Sequence, residues 1–220
     1  MAEDLWTNVD RYFSEKLLAE DPILESAAEA AEKAGLPPIA VSPNQGKFLQ
    51  LLARIVGAQS ILELGTLAGY STIWLARGMR GGGHLITLEL DPKHAEVARN
   101  NITRAGLKEI LEVRTGNALE ILPQLAAEMR GPFDLIFIDA DKQNLPAYFE
   151  WSMKLSHPGT LIIVDNVVRD GAVIDADSPD ANIQGVRKFV DNLAADSRAS
   201  ATAIQTVGIK GYDGFAIVLV

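Results

Sequence analysis

The segment SILELGTLAGYST (residues 60–72) decides the fold. It opens as a short apolar run, turns through Gly65 and Gly69, and passes at Ser71 and Thr72 into a segment with helical spacing. A strand that turns on glycine into a helix is the first half of a crossover unit, because parallel strands need a long connection between them. Glycine suits the turn because it lacks a Cβ and lets the backbone bend sharply or approach a ligand. The same rhythm continues downstream. Further strands are predicted in HLITLEL (84–90), ILEVRT (110–115), FDLIFID (133–139) and TLIIVD (160–165), with helices at about 70–80, 92–105, 118–130 and 145–156. Alternation at this pitch predicts a doubly wound, mostly parallel sheet of the α/β class. The strands are nearly continuous apolar runs, as expected where helices cover both faces.

Beyond residue 165 come a polar loop, GAVIDADSPD (171–180), a helix at about 182–196, and two strands, ASATAIQTV (199–207) and GFAIVLV (214–220). A short turn separates these strands, so they are expected to be antiparallel neighbours. Upstream, Val9, Tyr12, Phe13, Leu17 and Leu18 recur at helical spacing, as do Leu24, Ala27, Ala28 and Ala31. Gly35, Pro37 and Pro38 end that region. A third helix is expected from Pro43 to about Gly57, capped by the Ser42 hydroxyl. There is no repeat, low-complexity tract or linker. One domain over 1–220 is expected, with N-terminal helices over 1–58 and an α/β core over 59–220.

Composition narrows the function. The 220 residues carry 20 Lys and Arg against 29 Asp and Glu, a net charge of −9. That balance argues against nucleic acid and against an anionic membrane as partner. Cysteine is absent and histidine occurs three times, which removes thiolate chemistry and a histidine metal cluster. His84, His94 and His157 show no ligand spacing and are expected in surface or loop positions, whereas Trp74, Phe133 and Phe137 are expected in the core. No apolar run approaches the roughly 20 residues that span a bilayer. The N-terminus MAEDLWTNVD lacks the basic start and apolar stretch of a secretory signal, so a cytoplasmic protein is expected.

In a doubly wound sheet, ligands bind outside the carboxyl ends of the strands. Those ends carry the chemistry here. The Gly65–Gly69 turn does not have the G-x-G-x-x-G spacing that seats a pyrophosphate, and Glu63 puts a carboxylate beside it, which suits a cation better than a phosphate. The same glycines would also serve a plain strand–helix turn. Glu89 ends the next strand, where an acidic residue commonly accepts the hydroxyls of a ribose. Its other reading is a helix cap, for which Asp91 is better placed. FIDADK (137–142) brings Asp139, Asp141 and Lys142, and the adjacent strand ends in Asp165 and Asn166. Two carboxylates and an amide oxygen make an all-oxygen set of the kind magnesium, manganese or calcium prefers. With three protein ligands, positions remain open for water or substrate.

ELGTLAGYST, TLELDP, GNALEILP, FIDADK and IIVDN, preceded by VSPNQGKFLQLLARIVGAQSILELGT, follow one another in an order and spacing similar to the cation-dependent O-methyltransferases, which include catechol and caffeoyl-coenzyme-A O-methyltransferases. The resemblance covers about residues 9–220. It implies a seven-stranded sheet with an antiparallel last strand. It further implies that S-adenosylmethionine is held by Val41, Glu63, Gly65, Thr66, Ser71, Glu89, Ala118 and Asp141, with Asp139 bordering the same ligand. Asp139, Asp165 and Asn166 would bind a divalent cation, magnesium first. Lys142 would be the general base. Bacterial relatives are commonly homodimers. Three departures from the family pattern stand out: Thr160 and Asn117 replace a common glycine and aspartate, and the tail GIKGYDGFAIVLV is longer around its turn.

The reaction implied is methyl transfer to a hydroxyl of a vicinal-diol, catechol-like phenol. A phenol has a pKa near 10, so a cation that stabilises the oxyanion and a nearby base make the chemistry feasible. The competing reading of Lys142 is a surface lysine paired with Asp141. The loop 171–180 is a candidate substrate lid, although Asp, Ser and Pro also make ordinary surface loops. Its acidity disfavours a polyanionic coenzyme-A substrate. A nicotinamide-dependent oxidoreductase and a non-catalytic cofactor-binding protein are the alternative functions.

Overall fold

Seven strands line up in the order β3-β2-β1-β4-β5-β7-β6. They are β1 (Ser60–Leu64), β2 (His84–Glu89), β3 (Leu111–Thr115), β4 (Phe133–Ile138), β5 (Ser156–Asp165), β6 (Ser200–Gly208) and β7 (Gly211–Leu219). The structure, a computed structural model, describes residues 2–220. The first five strands are mutually parallel, and β7 runs antiparallel to both β5 and β6. Among the described residues there are eight α-helices: α1 (Ala2–Leu17), α2 (Pro22–Lys33), α3 (Pro43–Ile55), α4 (Tyr70–Gly78), α5 (Pro92–Arg104), α6 (Ala118–Ala127), α7 (Leu145–Lys154) and α8 (Ala181–Ala195). None of the described helices is long and apolar enough to cross a membrane.

Strand periodicity sorts the core into two layers. Leu62, Leu64, Ile86, Ile136, Ile138, Ile162 and Val164 face one side and pack with Leu122, Phe149 and Phe189 of α6, α7 and α8. Ile61, Leu85, Leu135, Phe137 and Ile163, one residue out of phase, face the other side with Leu49 and Ala53 of α3 and Leu75 of α4. Burial of strands on both faces is why they read as unbroken apolar runs. Phe133 and Phe137 lie in this core as expected, and Trp74 is buried in a third cluster with Leu24 and Ala27 of α2.

Local chemistry sets the helix starts. The Ser42 hydroxyl accepts from Gln45 N–H at 3.2 Å, and Asp91 accepts from Lys93 N–H at 2.7 Å. Both are the caps the sequence predicts. Asp21 caps α2 and also pairs with Arg77 of α4, which ties the N-terminal helices to the core.

Three expectations change. The helix before β5 stops at Lys154, and SHPG belongs to the strand: Ser156 pairs with Phe133 across an irregular register, and Thr160 Oγ1 donates to the Phe133 carbonyl. The apolar stripe of α1 is not covered, with Tyr12 58% and Leu17 70% exposed, because among the described residues α1 packs mainly against α3 and β6. The candidate lid does not reach the main cleft. It contains a short 3-10 turn (Ala172–Ile174), and Gly171, Val173 and Ile174 instead wall a second cavity of about 870 Å³ beside β6 and β7.

Candidate active site

The strand order reverses between β1 and β4: the chain winds outward from β1 to β3, then returns to β4 on the other side. Loops leaving two such neighbours must diverge, and the gap between them is a ready crevice. A cleft of about 630 Å³ opens at these carboxyl ends. Gly65 makes it possible. Its φ is +95°, and an added Cβ would overlap the Asp139 carbonyl oxygen, so only glycine lets the β1 and β4 ends approach this closely.

The loop after β1 lays Gly65, Thr66 and Ser71 along the cleft, with Val41 entering from the segment before α3. Glu63 does not reach the wall. It shares the phase of Ile61 and is fully buried under the start of α4, where the Ser71 hydroxyl donates to it at 2.7 Å and Thr72 donates to its other oxygen. Burial pushes its carboxyl up to about 7, with the Asp139 charge adding and the hydroxyl donors opposing.

Glu89 lines the cleft, but it is not a free acceptor. Its Oε2 accepts from Thr66 N–H at 3.1 Å and Leu67 N–H at 2.7 Å, and its Oε1 accepts from Asp91 N–H at 2.9 Å. This carboxylate pins the glycine turn to the end of β2. His94, expected in a surface position, lines the cleft from α5 with Nδ1 3.6 Å from Glu89. The missed signal is its place one turn into a helix whose cap, Asp91, adjoins Glu89. Asn117 caps α6 by accepting from Leu119 N–H at 2.9 Å, and Ala118 follows it on the cleft wall.

At the far end, β4 and β5 run side by side, with Ile138 in register with Val164. Asp139 and Asp165 follow directly and are therefore neighbours. Asp165 is buried behind the cleft wall, where Gln45 Nε2 donates to its Oδ2 at 2.6 Å and Asn166 N–H donates to its Oδ1 at 2.9 Å. Burial raises its proton affinity, the Asp139 charge raises it further, and Lys142 opposes both. Gln45 lies 120 residues away in sequence, and no local pattern marks it. Asn166 lines the cleft with a left-handed backbone, φ +55°.

Lys142 is buried, and its Nζ donates to Asp139 Oδ1 at 3.1 Å, so it does not pair with Asp141. Gly185 fixes this geometry: a Cβ there would overlap the Lys142 carbonyl, so α8 abuts the loop directly. Asp141 lies on the rim with both oxygens engaged, one by the Tyr148 hydroxyl at 2.5 Å and one by Asn144 Nδ2 at 2.7 Å.

The donor chemistry fits a hard divalent cation. Among the described residues no group of three or more His, Cys, Asp or Glu side chains could hold a metal. The set expected from the sequence has two carboxylates, Asp139 and Asp165, and draws its third oxygen from the Asn166 amide. A double positive charge would relieve the repulsion between Asp139 and Asp165.

Comparison with known proteins identifies the family. A family model described as O-methyltransferase matches residues 14–219. The chain is 54% identical over 220 residues to a catechol O-methyltransferase of Niastella koreensis, covering 100% of both. It is similar to the crystal structure of an O-methyltransferase from Bacillus cereus in complex with SAH, with a TM-score of 0.98, 58% identity and 99% of each chain covered. It is also similar in shape to TomG of Streptomyces achromogenes, an O-methyltransferase involved in tomaymycin synthesis and solved with SAM. There the TM-score is 0.97 and the identity 50%, over 100% of this chain and 99% of that one. The sheet, the cleft at its switch point and the extent of these matches together place the chain in the O-methyltransferase family.

Proposed function

We propose that this O-methyltransferase takes its methyl group from S-adenosylmethionine and delivers it to one hydroxyl of a vicinal-diol phenol, with a divalent cation holding the acceptor. One observation carries the reading: Asp139, Asp165 and Lys142 are brought together from two strand ends beside a glycine-turned cleft. S-adenosylmethionine, when bound, supplies an electrophilic methyl group. The cation, when bound, supplies Lewis-acid stabilisation of the phenolate.

The chain's own residues do the rest. Asp139, Asp165 and Asn166 hold the cation, and Gln45 keeps the Asp165 carboxylate oriented. Lys142 Nζ takes the phenolic proton. Its buried place beside Asp139, at the end of β4 next to the proposed cation ligands, puts it within reach of that proton. Glu89 receives the ribose, and its bonds to Thr66 and Leu67 couple cofactor capture to the shape of the turn. Val41, Gly65, Thr66 and Ser71 border the methionine portion and Ala118 the adenine. Glu63 acts from below by fixing the Ser71 hydroxyl, and Asp141 orients the rim through Tyr148 and Asn144. Much of the rate comes from alignment of methyl carbon and oxygen by these walls. The uncovered stripe of α1, with Leu5, Tyr12 and Leu17 exposed, supports a homodimer in which a second copy covers it.

The test is a screen of vicinal-diol phenols with magnesium and with chelator, reading methylated product. We expect product only with metal, and none from Asp165→Ala. Full turnover in chelator would reject the metal-dependent reading.

A further inference from the structure

Among the described residues, three basic side chains line the cleft: His94, Lys142 and Arg169. Lys142 is committed to Asp139, and His94 sits beside Glu89. Arg169 differs. Its hydrogen bonds are made by the backbone alone, the N–H to Asp213 and the carbonyl from Ala172 N–H, and its enclosed Nε has no partner among the described residues. Buried donors are normally satisfied, and an exception calls for an explanation. In a chain with a net charge of −9, a half-buried arginine without a carboxylate is conspicuous.

The backbone points the same way. Asn166, Arg169 and Asp170 all adopt left-handed conformations, with φ of +55°, +57° and +54°. Side chains other than glycine adopt these rarely, and they persist where the surroundings over-determine them, often at ligand sites. Here β7 holds the segment: Asp213 accepts from Val168 N–H at 2.9 Å and Arg169 N–H at 3.0 Å, and the Gly214 carbonyl accepts from Val167 N–H at 3.0 Å. The clamp makes Asn166 and Arg169 one rigid piece of the cleft wall. One end carries an amide suited to the cation, and the other a guanidinium with free donors.

We propose that Arg169 is a specificity-determining residue that takes a carboxylate carried on the ring of the acceptor. The inference rests on the reading that the acceptor is a vicinal-diol phenol, and it narrows that class to catechol acids. A guanidinium presents a planar fork of donors that matches a carboxylate, which a neutral substituent cannot replace. Asn166 and Arg169, three residues apart on the same cleft wall, suit a compact aromatic acid.

The test compares kcat/KM for 3,4-dihydroxybenzoate and for 3,4-dihydroxybenzamide, which matches it in size but is neutral. Wild-type protein is expected to favour the acid by about tenfold to a hundredfold. In Arg169→Met that ratio collapses toward one through KM for the acid, and Arg169→Lys keeps part of it. A wild-type ratio near one would overturn the proposal, whether or not the variants fold. So would equal losses on both substrates in Arg169→Met. Weakened binding of S-adenosylhomocysteine to Arg169→Met, read by calorimetry, would assign the guanidinium to the cofactor's own carboxylate and also overturn it. If wild-type protein methylates neither catechol, the functional reading itself falls and this inference falls with it.

Discussion

Glu89→Ala removes a carboxylate that serves two purposes, and the structure sets the size of each loss. Its oxygens accept from the backbone N–H groups of Thr66, Leu67 and Asp91. The Thr66 donor is buried, and leaving it unpaired costs about 1–3 kcal/mol. The Leu67 and Asp91 donors are partly exposed and regain water, so each forfeits about 0.5–1 kcal/mol. The total of about 2–5 kcal/mol is a large share of the roughly 5–15 kcal/mol that holds a folded protein together. With a urea dependence of about 2–3 kcal/mol per molar, the unfolding midpoint of the ligand-free protein should fall by about 1–2 M. Glu89→Gln separates the two purposes. Its one carbonyl oxygen can still serve Thr66 and Leu67, but its amide then meets the Asp91 N–H, so the stability loss shrinks to about 1 kcal/mol. S-adenosylhomocysteine affinity, measured by calorimetry, should fall in both variants. A Glu89→Ala protein that unfolds at the wild-type midpoint would refute the view that this side chain holds the turn.

Gly65→Ala should destabilise the fold by about 3 kcal/mol, combining a positive φ with overlap on the Asp139 carbonyl; an unchanged urea midpoint would contradict this. Glu63 has a carboxyl pushed up to about 7, so its protonated form is favoured in the folded state. The stability it contributes is full below pH 4.5 and lost as pH rises through 7, by up to ~1.4 kcal/mol per pH unit. Thermal scans of Glu63→Gln between pH 5 and 8 should show a flatter profile than wild type, and parallel profiles would count against the buried-charge argument. Lys142→Met should lower kcat by about a hundredfold or more while S-adenosylhomocysteine binding changes little. Wild-type rates across the pH range would remove it as the base.

The elements themselves were legible because their signals are local. Apolar runs of five or six residues bounded by glycine and aspartate read as buried strands, and a hydroxyl or carboxylate just before a helix reads as its cap, as at Ser42 and Asp91. Candidate site residues were legible for a related reason: carboxylates and amides at strand ends have no structural duty within their own segment. What each of them touches was not legible. Glu63 and Glu89 look alike as acidic strand-end residues. One is sealed beneath α4, and the other braces a turn at the cleft.

The order of strands separates these two kinds of knowledge. Periodicity and caps depend on neighbours a few residues apart, so 60–72 suffices to announce a strand, a glycine turn and a helix. Which strand lies beside which depends on how helices cover both faces at once, a property of the whole chain. That pairing puts Asp139 next to Asp165, lets Gln45 reach across 120 residues, leaves α1 uncovered and leaves the Arg169 Nε without a partner among the described residues.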